Sequence, residues 1–496
     1  MKNRSFKISS ILLAGVMMLS ATSCQSTDTT EPTSLSADTS VSETTETSVV
    51  NTESTEATEW TMPTVPLPDP ITDSSEIFSG ATEDAFVPFQ DPERSFCWNN
   101  EGYAGPVLYQ TTGSCDVYAA ATVMDVNYQI NHGELPFIEP LDVLDRFYVA
   151  DPDDPNSPEG VYIKVGNPND YGADLSVGMF FALGADDYNG YLLNDITLRY
   201  RDIGKGDKYF STDEVKDLIK TQGPVEVGFT WEYDKSADGI YTQSTSLPDN
   251  HWVAIVGWDD DIPADYFQTV PKSNGAWLIQ NSRSPSWGNN GYAWVSYEYK
   301  LPYLITAELT KEYSYGVPTG RIPCIDVISK ESDETSAASV FNNDGTLKAI
   351  GLIVDPKSNT TPEEITIEIY DGKFGELLST IEVTESYPGY HIYELDEPLE
   401  VSDFTVVEKV KNGYIVSEGS SFYIEEQGMR MSETGYAIGK LGDVVYTEPG
   451  VSFYYSDGEW IDATDKSLLS KFNAYDFPSS CELECLGEPS MVALFE

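Results

Sequence analysis

The sequence predicts an α+β domain followed by an antiparallel β-sandwich, and two patterns along the chain support this prediction. Before Ser314, a stretch with apolar residues at helical spacing is combined with several apolar runs of strand length. After Ser314 the long helical patterns stop, and short alternating strands separated by turn residues follow. The 496 residues leave room for two cores once an N-terminal leader and spacer are set aside.

The N-terminus has the pattern of a secretory signal. Three basic residues precede an apolar run over residues 11–19 that is too short to span a membrane. The motif Ala21-Thr-Ser-Cys24 resembles a bacterial lipobox, so residues 1–24 are predicted to be a signal peptide ending at a lipidated Cys24. An ordinary cleaved signal peptide is the alternative. A diacylglycerol on Cys24 would anchor the protein outside the membrane, as an extracellular lipoprotein.

Residues 25–79 consist mainly of Ser, Thr, Glu, Asp and Pro, and they contain no Lys or Arg. Such a composition cannot bury a core, so it predicts a disordered, self-repelling spacer between the lipid anchor and the folded part. The α+β domain is predicted over residues 80–314, and the sandwich over residues 315–496.

Cys115 stands at the predicted start of a helix. Apolar residues recur at helical spacing after it, and Gly133 stands where a C-terminal cap is expected. A sulfur at that position faces unpaired backbone N–H groups and the positive end of the helix dipole, which favour the thiolate. Cys115 is therefore a candidate nucleophile. A small buried cysteine packed like alanine is the alternative for an isolated cysteine.

Three histidines could carry a proton for this thiolate: His132, His251 and His391. His132 lies at a helix end, where capping is favoured, and His391 lies in a strand pattern far into the second half. His251 opens an apolar run of strand length that ends at Gly257, which would hold the imidazole rigidly at a strand edge. The next strand ends at Asn281, whose amide can accept a hydrogen bond from one imidazole nitrogen and orient the other toward sulfur.

These motifs resemble those of the papain-like cysteine peptidases. The matching segments are Gln110-Thr-Thr-Gly-Ser-Cys115, His251 with its strand, Asn281-Ser followed by Trp287-Gly and Gly291-Tyr292, and Gln222-Gly-Pro-Val225 with Gly239-Ile-Tyr241. The resemblance implies a catalytic domain with a helical half and a β-barrel-like half. In it, Cys115 would be the nucleophile, His251 the general acid/base and Asn281 the orienting residue. Gln110 and the backbone N–H of Cys115 would form the oxyanion hole.

The sequence departs from the family pattern at three positions near these residues. Gln110 stands one residue closer to the cysteine than is usual. Asp116 replaces a Trp, and an acid there opposes an adjacent thiolate. Arg283 replaces the Trp that shields the Asn–His hydrogen bond, and its charge would offset the acid if it approached Asp116 or Cys115.

Two further features lie between the motifs. Ser211-Thr-Asp-Glu214 is a capping box that opens a short helix, and residues 171–183 have an amphipathic helical pattern. Residues 151–159 are acidic and rich in proline. They predict a solvated loop rather than a calcium site, because they lack the alternation and turn glycine of an EF-hand.

The remaining composition limits cofactors and partners. Besides Cys24 and Cys115 there are four cysteines, which allow three disulfide pairings or stay as thiols in a reducing habitat: Cys97, Cys324, Cys481 and Cys485. No Cys/His set has metal-ligand spacing and no phosphate-binding loop is present, so no cofactor is predicted. The net charge of −54 argues against nucleic-acid or anionic-membrane binding by the folded part. Membrane contact is expected only through the lipid anchor.

The predicted sandwich resembles the lectin-like domain that follows papain-like domains in some bacterial and archaeal proteins. No ligand residues can be matched, so a carbohydrate or cell-surface ligand and a structural role both stay open. The whole chain predicts an extracellular, membrane-anchored cysteine endopeptidase that acts on protein or peptide substrates through an acyl-thioester intermediate. A catalytically degenerate surface adhesin is one alternative, favoured by Asp116 and Arg283. A cell-wall peptide hydrolase is the other, and the block at Asn281 argues against it.

Overall fold

The computed structural model describes most of the chain between residue 88 and the C-terminus. The described ranges are 88–110, 115–140, 148–150, 161–163, 190–201, 209–229, 240–241, 251–267, 269–301, 303–319, 326–329, 334–358, 360–418, 422–424, 448–475, 481–483 and 485–496. The predicted signal peptide with Cys24, the spacer, the loop over residues 151–159, the helix over residues 171–183 and Cys324 lie outside them. Within them, no helix is both long and apolar enough to cross a membrane.

Strands form most of the described structure, and nearly all of their pairings are antiparallel. Those before Ser314 are β1 (Ser95–Cys97), β2 (Tyr148–Ala150), β3 (Val161–Ile163), β4 (Leu192–Tyr200), β5 (Val225–Phe229), β6 (Ile240–Tyr241), β7 (His251–Asp259), β8 (Ala276–Gln280), β9 (Tyr292–Ser296) and β10 (Tyr303–Thr310). Those after it, which we call the C-terminal β region, are β11 (Tyr315–Pro318), β12 (Asp326–Ser329), β13 (Glu334–Pro356), β14 (Glu363–Asp371), β15 (Leu377–Glu385), β16 (Gly389–Lys411), β17 (Gly413–Glu418), β18 (Phe422–Ile424), β19 (Ser452–Ser456), β20 (Glu459–Asp462), β21 (Asn473–Tyr475), β22 (Cys481–Leu483), β23 (Glu488–Pro489) and β24 (Met491–Phe495).

The described residues contain two α-helices, α1 (Cys115–His132) and α2 (Thr212–Gln222), and two short 3₁₀ turns over Ala264–Tyr266 and Lys466–Ser470. Helix α1 starts at the cysteine, as the sequence predicts, and nearly all its residues up to Tyr128 are buried. A helix buried on every face must be enclosed by other elements. Helix α1 is enclosed on one side by β5, β7 and β10, against which it packs.

The predicted capping box at the start of α2 is confirmed. The Glu214 backbone N–H donates to the Ser211 hydroxyl, at 3.3 Å, and the Ser211 backbone N–H donates to the Glu214 carboxylate, at 2.8 Å. These two bonds satisfy N–H groups that have no partner inside the helix. Helix α2 then ends before Gly223, which has a φ of +92°.

Strand β7 lies between β5 and β8 in the sheet that faces α1. It pairs antiparallel with both, and β8 pairs in turn with β9. Because β7 and β8 run in opposite directions, the end of β8 lies near the start of β7. This arrangement brings Asn281, which follows β8, toward His251, the first residue of β7.

In the C-terminal β region, two short alternating stretches of the sequence form a single strand. Residues 337–341 and 347–354 both belong to β13, whose pairing with β16 shifts register after Asn342 and after Leu347. Register shifts of this kind let one long strand bend and continue. The region has an apolar core of its own, formed mainly by inward residues of β13, β14, β16 and β24.

The C-terminal β region joins the preceding strands through a seam between β16 and β4. Gly389, Tyr390 and His391 of β16 pair with Thr197, Ile196 and Asp195 of β4. A Cβ atom at Gly389 would overlap the Ile196 carbonyl oxygen, so only glycine permits this approach. One buried apolar cluster extends across the seam, from residues of α1 and β4 to Ala349, Ile353, Tyr390, Val416, Val492 and Leu494.

A buried acid in the C-terminal core makes stability depend on pH. Glu408 is 1% exposed, and its Oε1 has no hydrogen-bond partner among the described residues. Burial raises the pKa of its carboxyl from 4.5 to about 8. Below pH 4.5 both folded and unfolded chains hold the proton. Between the two pKa values only the folded chain holds it, so the free energy of unfolding falls as the pH rises.

We therefore expect Glu408→Met to remove part of this pH dependence. The free energy of unfolding, measured in urea, should fall between pH 5 and pH 8 by about 3 kcal/mol more in the wild type than in the variant, at ~1.4 kcal/mol per pKa unit. The exposed Glu364, on the neighbouring strand, is the matched control, and Glu364→Met should leave the wild-type pH dependence in place. Equal losses in wild type and Glu408→Met would contradict a buried, protonated Glu408.

Candidate active site

Cys115 opens helix α1 and is 7% exposed, and Asp116 beside it is 4% exposed. Both therefore lie at the helix N-terminus, where backbone N–H groups and the helix dipole favour negative charge. Cys115 belongs to the same buried cluster as Trp252, the residue after His251. The start of α1 and the start of β7 thus contribute to the same core.

His251 and Asn281 are hydrogen bonded to each other. The ring Nε2 of His251 lies 2.9 Å from Oδ1 of Asn281, and the two residues are 1% and 3% exposed. The backbone N–H of Ser282 also donates to that Oδ1, at 2.8 Å. An atom that accepts from a backbone N–H must be the amide oxygen, so Nε2 of His251 must donate to it. In the neutral ring the lone pair is then on Nδ1, which is the nitrogen that can take a proton.

A small cavity separates this pair from helix α1. Trp252, Asn281 and Ser282 line one side of it, and Tyr118, Ala119 and Thr122 of α1 line the other. Residues of α1 therefore face residues at the adjacent ends of β7 and β8 across this cavity.

Gln110 lies beside Ser282. Its backbone N–H donates to the Ser282 carbonyl, at 2.9 Å, and its side-chain Oε1 accepts a hydrogen bond from the Ser282 hydroxyl. The donors of the Gln110 amide are on Nε2, the type of group that an oxyanion hole requires. Residues 111–114, which connect Gln110 to Cys115, lie outside the described ranges. The shorter spacing to the cysteine nevertheless leaves Gln110 next to the residue that follows Asn281.

Residues 108–110 and 282–284 form a short antiparallel ribbon. Tyr109 and Arg283 are bridge partners, and the Ser284 backbone N–H donates to the Leu108 carbonyl, at 3.1 Å. Arg283 is half-buried, whereas Tyr109 is 59% exposed. The approach of Arg283 to Asp116 stays a prediction.

The other two histidines lie in different surroundings. His132 is the exposed last residue of α1, and its ring stacks on Tyr128, at 4.2 Å between centroids. His391 lies in the seam, where its Nδ1 is 2.6 Å from Oδ2 of Asp195. Burial opposes charge on the His391 ring, but the hydrogen bond and charge of Asp195 outweigh it and raise its pKa. Neither ring belongs to the arrangement around Asn281.

The described cysteines other than Cys115 have no features of a nucleophile. Cys97 is 2% exposed, and burial raises the pKa of its thiol to about 12. Cys97 and Cys485 are buried and form no disulfide. The side chain of Cys481 lies outside the described part of the chain, as does Cys324. Among the residues that are described, no group of three or more His, Cys, Asp or Glu side chains could hold a metal ion.

Ser282 contacts two of the predicted site residues, although the sequence analysis gave it no role of its own. It contacts Asn281 through its backbone N–H and Gln110 through its hydroxyl and its carbonyl. Periodicity and spacing carry no signal for it, because its partner Gln110 is 172 residues away in the chain. Its position directly after Asn281 was the available indication.

One family model matches part of the chain. Residues 195–316 match the family described as papain family cysteine protease, a range that contains His251 and Asn281 and lies after Cys115. No curated protein matches the chain significantly.

Two solved structures of one clostridial protein are similar over most of the chain. The first contains the cysteine protease and lectin-like domains of Cwp84, a surface layer associated protein of Clostridium difficile. It has 15% identity and a TM-score of 0.54, and the match covers 82% of this chain and 90% of that one. The second is the clostridial cysteine protease Cwp84 after propeptide cleavage. It has 16% identity and a TM-score of 0.53, with coverage of 81% and 99%.

The family match defines the class of protein: the chain contains a papain-family cysteine protease domain, and it is a papain-like peptidase. Its fold over most of its length, including the C-terminal β region, is similar to that of the two clostridial structures. The prediction that the chain resembles a papain-like peptidase with a C-terminal domain is confirmed.

Proposed function

We propose that this protein is an extracytoplasmic cysteine endopeptidase in which Cys115, His251 and Asn281 form the catalytic triad. The proposal rests on one observation: Oδ1 of Asn281 accepts two hydrogen bonds, one from Nε2 of His251 and one from the Ser282 backbone N–H. This arrangement fixes the imidazole tautomer, so that Nδ1 is the nitrogen available for proton transfer. Orientation of the base by a third group is a recurring requirement of nucleophilic catalysis.

The proposed reaction has two halves. In the first, the thiol proton of Cys115 passes to Nδ1 of His251, and the sulfur forms a bond to the peptide carbonyl carbon. Nδ1 then gives that proton to the leaving amine as the C–N bond breaks. In the second, water attacks the acyl-thioester and passes a proton to His251, and the C–S bond breaks to release the acid. Nε2 of Gln110 and the N–H of Cys115 stabilise the oxyanion in both halves.

The remaining parts of the proposal come from the sequence. We propose that residues 80–314 form the catalytic domain and that residues 315–496 form an antiparallel sandwich, behind a signal peptide, a lipidated Cys24 and the acidic spacer. The antiparallel pairing and separate apolar core of the C-terminal β region support the sandwich. The clostridial relative has a domain described as lectin-like, which makes a carbohydrate or other cell-surface molecule the ligand class to test.

An epoxysuccinyl inhibitor of papain-like enzymes tests the proposed nucleophile. The chain from residue 25 onward should gain one adduct by intact mass, because the inhibitor alkylates a thiolate that is paired with an imidazole. Cys115→Ala should gain none. Cys97→Ala is the matched control and should react at the wild-type rate, since the Cys97 thiol is buried and protonated.

The same experiment also distinguishes a peptidase from the alternative, a non-catalytic relative. A folded protein with a reduced Cys115 that gains no adduct would contradict the peptidase. It would favour a degenerate surface adhesin. The structural observation that supports this alternative is the buried Asp116 beside Cys115.

A further inference from the structure

Gln280, the residue before Asn281, makes hydrogen bonds in three directions. It is the last residue of β8 and is 4% exposed. Its Nε2 donates to the Pro106 carbonyl, at 3.1 Å, and to the Thr122 hydroxyl, at 3.3 Å. Its Oε1 accepts from the Tyr292 hydroxyl, at 2.9 Å. One buried side chain therefore contacts three separate parts of the chain.

Two of these partners, Thr122 and Pro106, connect Gln280 to different parts of the proposed active site. Thr122 lies seven residues after Cys115, two turns along the same face of α1. Pro106 lies in the segment that leads to Gln110. Gln280 itself is joined to Asn281 by a peptide bond. Its amide thus links the elements that carry the nucleophile, the oxyanion donor and the orienting residue.

A second layer of buried groups holds the Gln280 amide in one orientation. The Tyr292 hydroxyl, which donates to Gln280, accepts from Nδ2 of Asn99, at 2.8 Å. Tyr292 and Asn99 are 1% and 3% exposed. Burial raises the pKa of Tyr292, so its hydroxyl stays protonated and remains a donor. A donor at Oε1 assigns that atom as the oxygen, and Nε2 must then face Pro106 and Thr122.

The cavity beside Gln280 shows why these bonds matter for geometry. Gln280 and Asn281 line it on the side of β8, and Thr122 lines it on the side of α1. Helix α1 packs on β7, but beside this cavity its side chains leave a gap to the end of β8. The bond from Gln280 to Thr122 spans this gap.

We propose that Gln280 is a positioning residue, which holds Asn281, and through it His251, at a fixed distance from Cys115. The proposal rests on the triad proposed above. Gln280 does not touch substrate. Its effect on the reaction passes through the hydrogen bond between Asn281 and His251.

The variants that test this proposal separate positioning from simple stability. Gln280→Met keeps the length of the side chain but removes all its hydrogen bonds. Thr122→Val removes only the Thr122 hydroxyl, which accepts from Gln280 and donates to the Tyr118 carbonyl within α1. Thr122→Ser retains that hydroxyl and is the matched control. If Gln280→Met does not fold, Thr122→Val provides the same test, because it keeps the shape of the side chain.

All proteins are to be assayed as the chain from residue 25 onward, on a fluorogenic peptide, well below the measured Tm of each. We expect kcat to fall at least about 10-fold in Gln280→Met and a few-fold in Thr122→Val, with KM little changed, since small misplacements of catalytic groups are costly. The pH profile of epoxysuccinyl inactivation should shift in both. Thr122→Ser should match the wild type.

The outcomes distinguish the two proposals. A wild type that neither reacts with the inhibitor nor cleaves peptide would contradict the proposed function itself. An active wild type, with Gln280→Met and Thr122→Val lowered in Tm but unchanged in kcat and pH profile, would overturn the positioning role alone.

Discussion

Replacing His251 with alanine is expected to lower kcat on a peptide substrate by about 10³-fold or more while leaving the fold intact. The imidazole is the group that transfers the proton in both halves of the proposed reaction, and removal of a triad member typically costs 10³–10⁶ in kcat. Initial rates with a fluorogenic peptide, together with circular dichroism of the variant, measure both properties.

The other histidines provide the control for this variant. His132 is exposed and contacts Tyr128 at the far end of α1, so His132→Ala should keep nearly wild-type kcat. The kcat of Asn281→Ala should lie between those of the two histidine variants, because this change leaves the base in place but removes the group that orients it. A His251→Ala enzyme with more than a tenth of wild-type kcat would refute the assignment of His251.

A chain that ends at Ser314 is expected not to fold. The buried cluster around α1 includes six side chains from the C-terminal β region, among them Tyr390, Val492 and Leu494. Burial of each large apolar side chain contributes roughly 1.5–3 kcal/mol, so their loss is on the order of 10 kcal/mol, comparable to the stability of a whole domain. Strand β4 would also lose its pairing with β16.

Expression of residues 80–314 alone, followed by calorimetry and an activity assay, checks this expectation. The fragment should give no cooperative transition, whereas residues 80–496 should unfold in a single one. Adding residues 315–496 as a separate chain is the control, and it should restore soluble, active protein. A fragment that unfolds cooperatively and cleaves peptide without its partner would show that the seam is not part of the catalytic core.

The features that could be predicted from the sequence are those set by neighbouring residues. The start of α1 at Cys115 follows from helical periodicity, and the start of α2 follows from the pairing of Ser211 with Glu214. His251 at the start of β7 follows from one apolar run. Each of these signals lies within a few residues of the feature it predicts.

The features that could not be predicted depend on distant parts of the chain. The ribbon that joins Gln110 to Ser282 and the bond from Gln280 to Thr122 each connect residues more than 150 positions apart. The seam of β4 with β16 joins residues almost 200 positions apart, at His391 and Asp195. Local patterning carries no information about such pairs, since many other polar residues would satisfy the same pattern.

The hydrogen bond from the Ser282 backbone N–H to Asn281 has a further consequence for the catalytic cycle. In water, a neutral imidazole exchanges between its two tautomers, and an amide can turn over by rotating its terminal bond. Here a turned amide would place its NH₂ group against both a backbone N–H and the Nε2 proton, so both changes are disfavoured before substrate arrives. The proposed base and the amide that orients it are therefore preorganised before substrate binds.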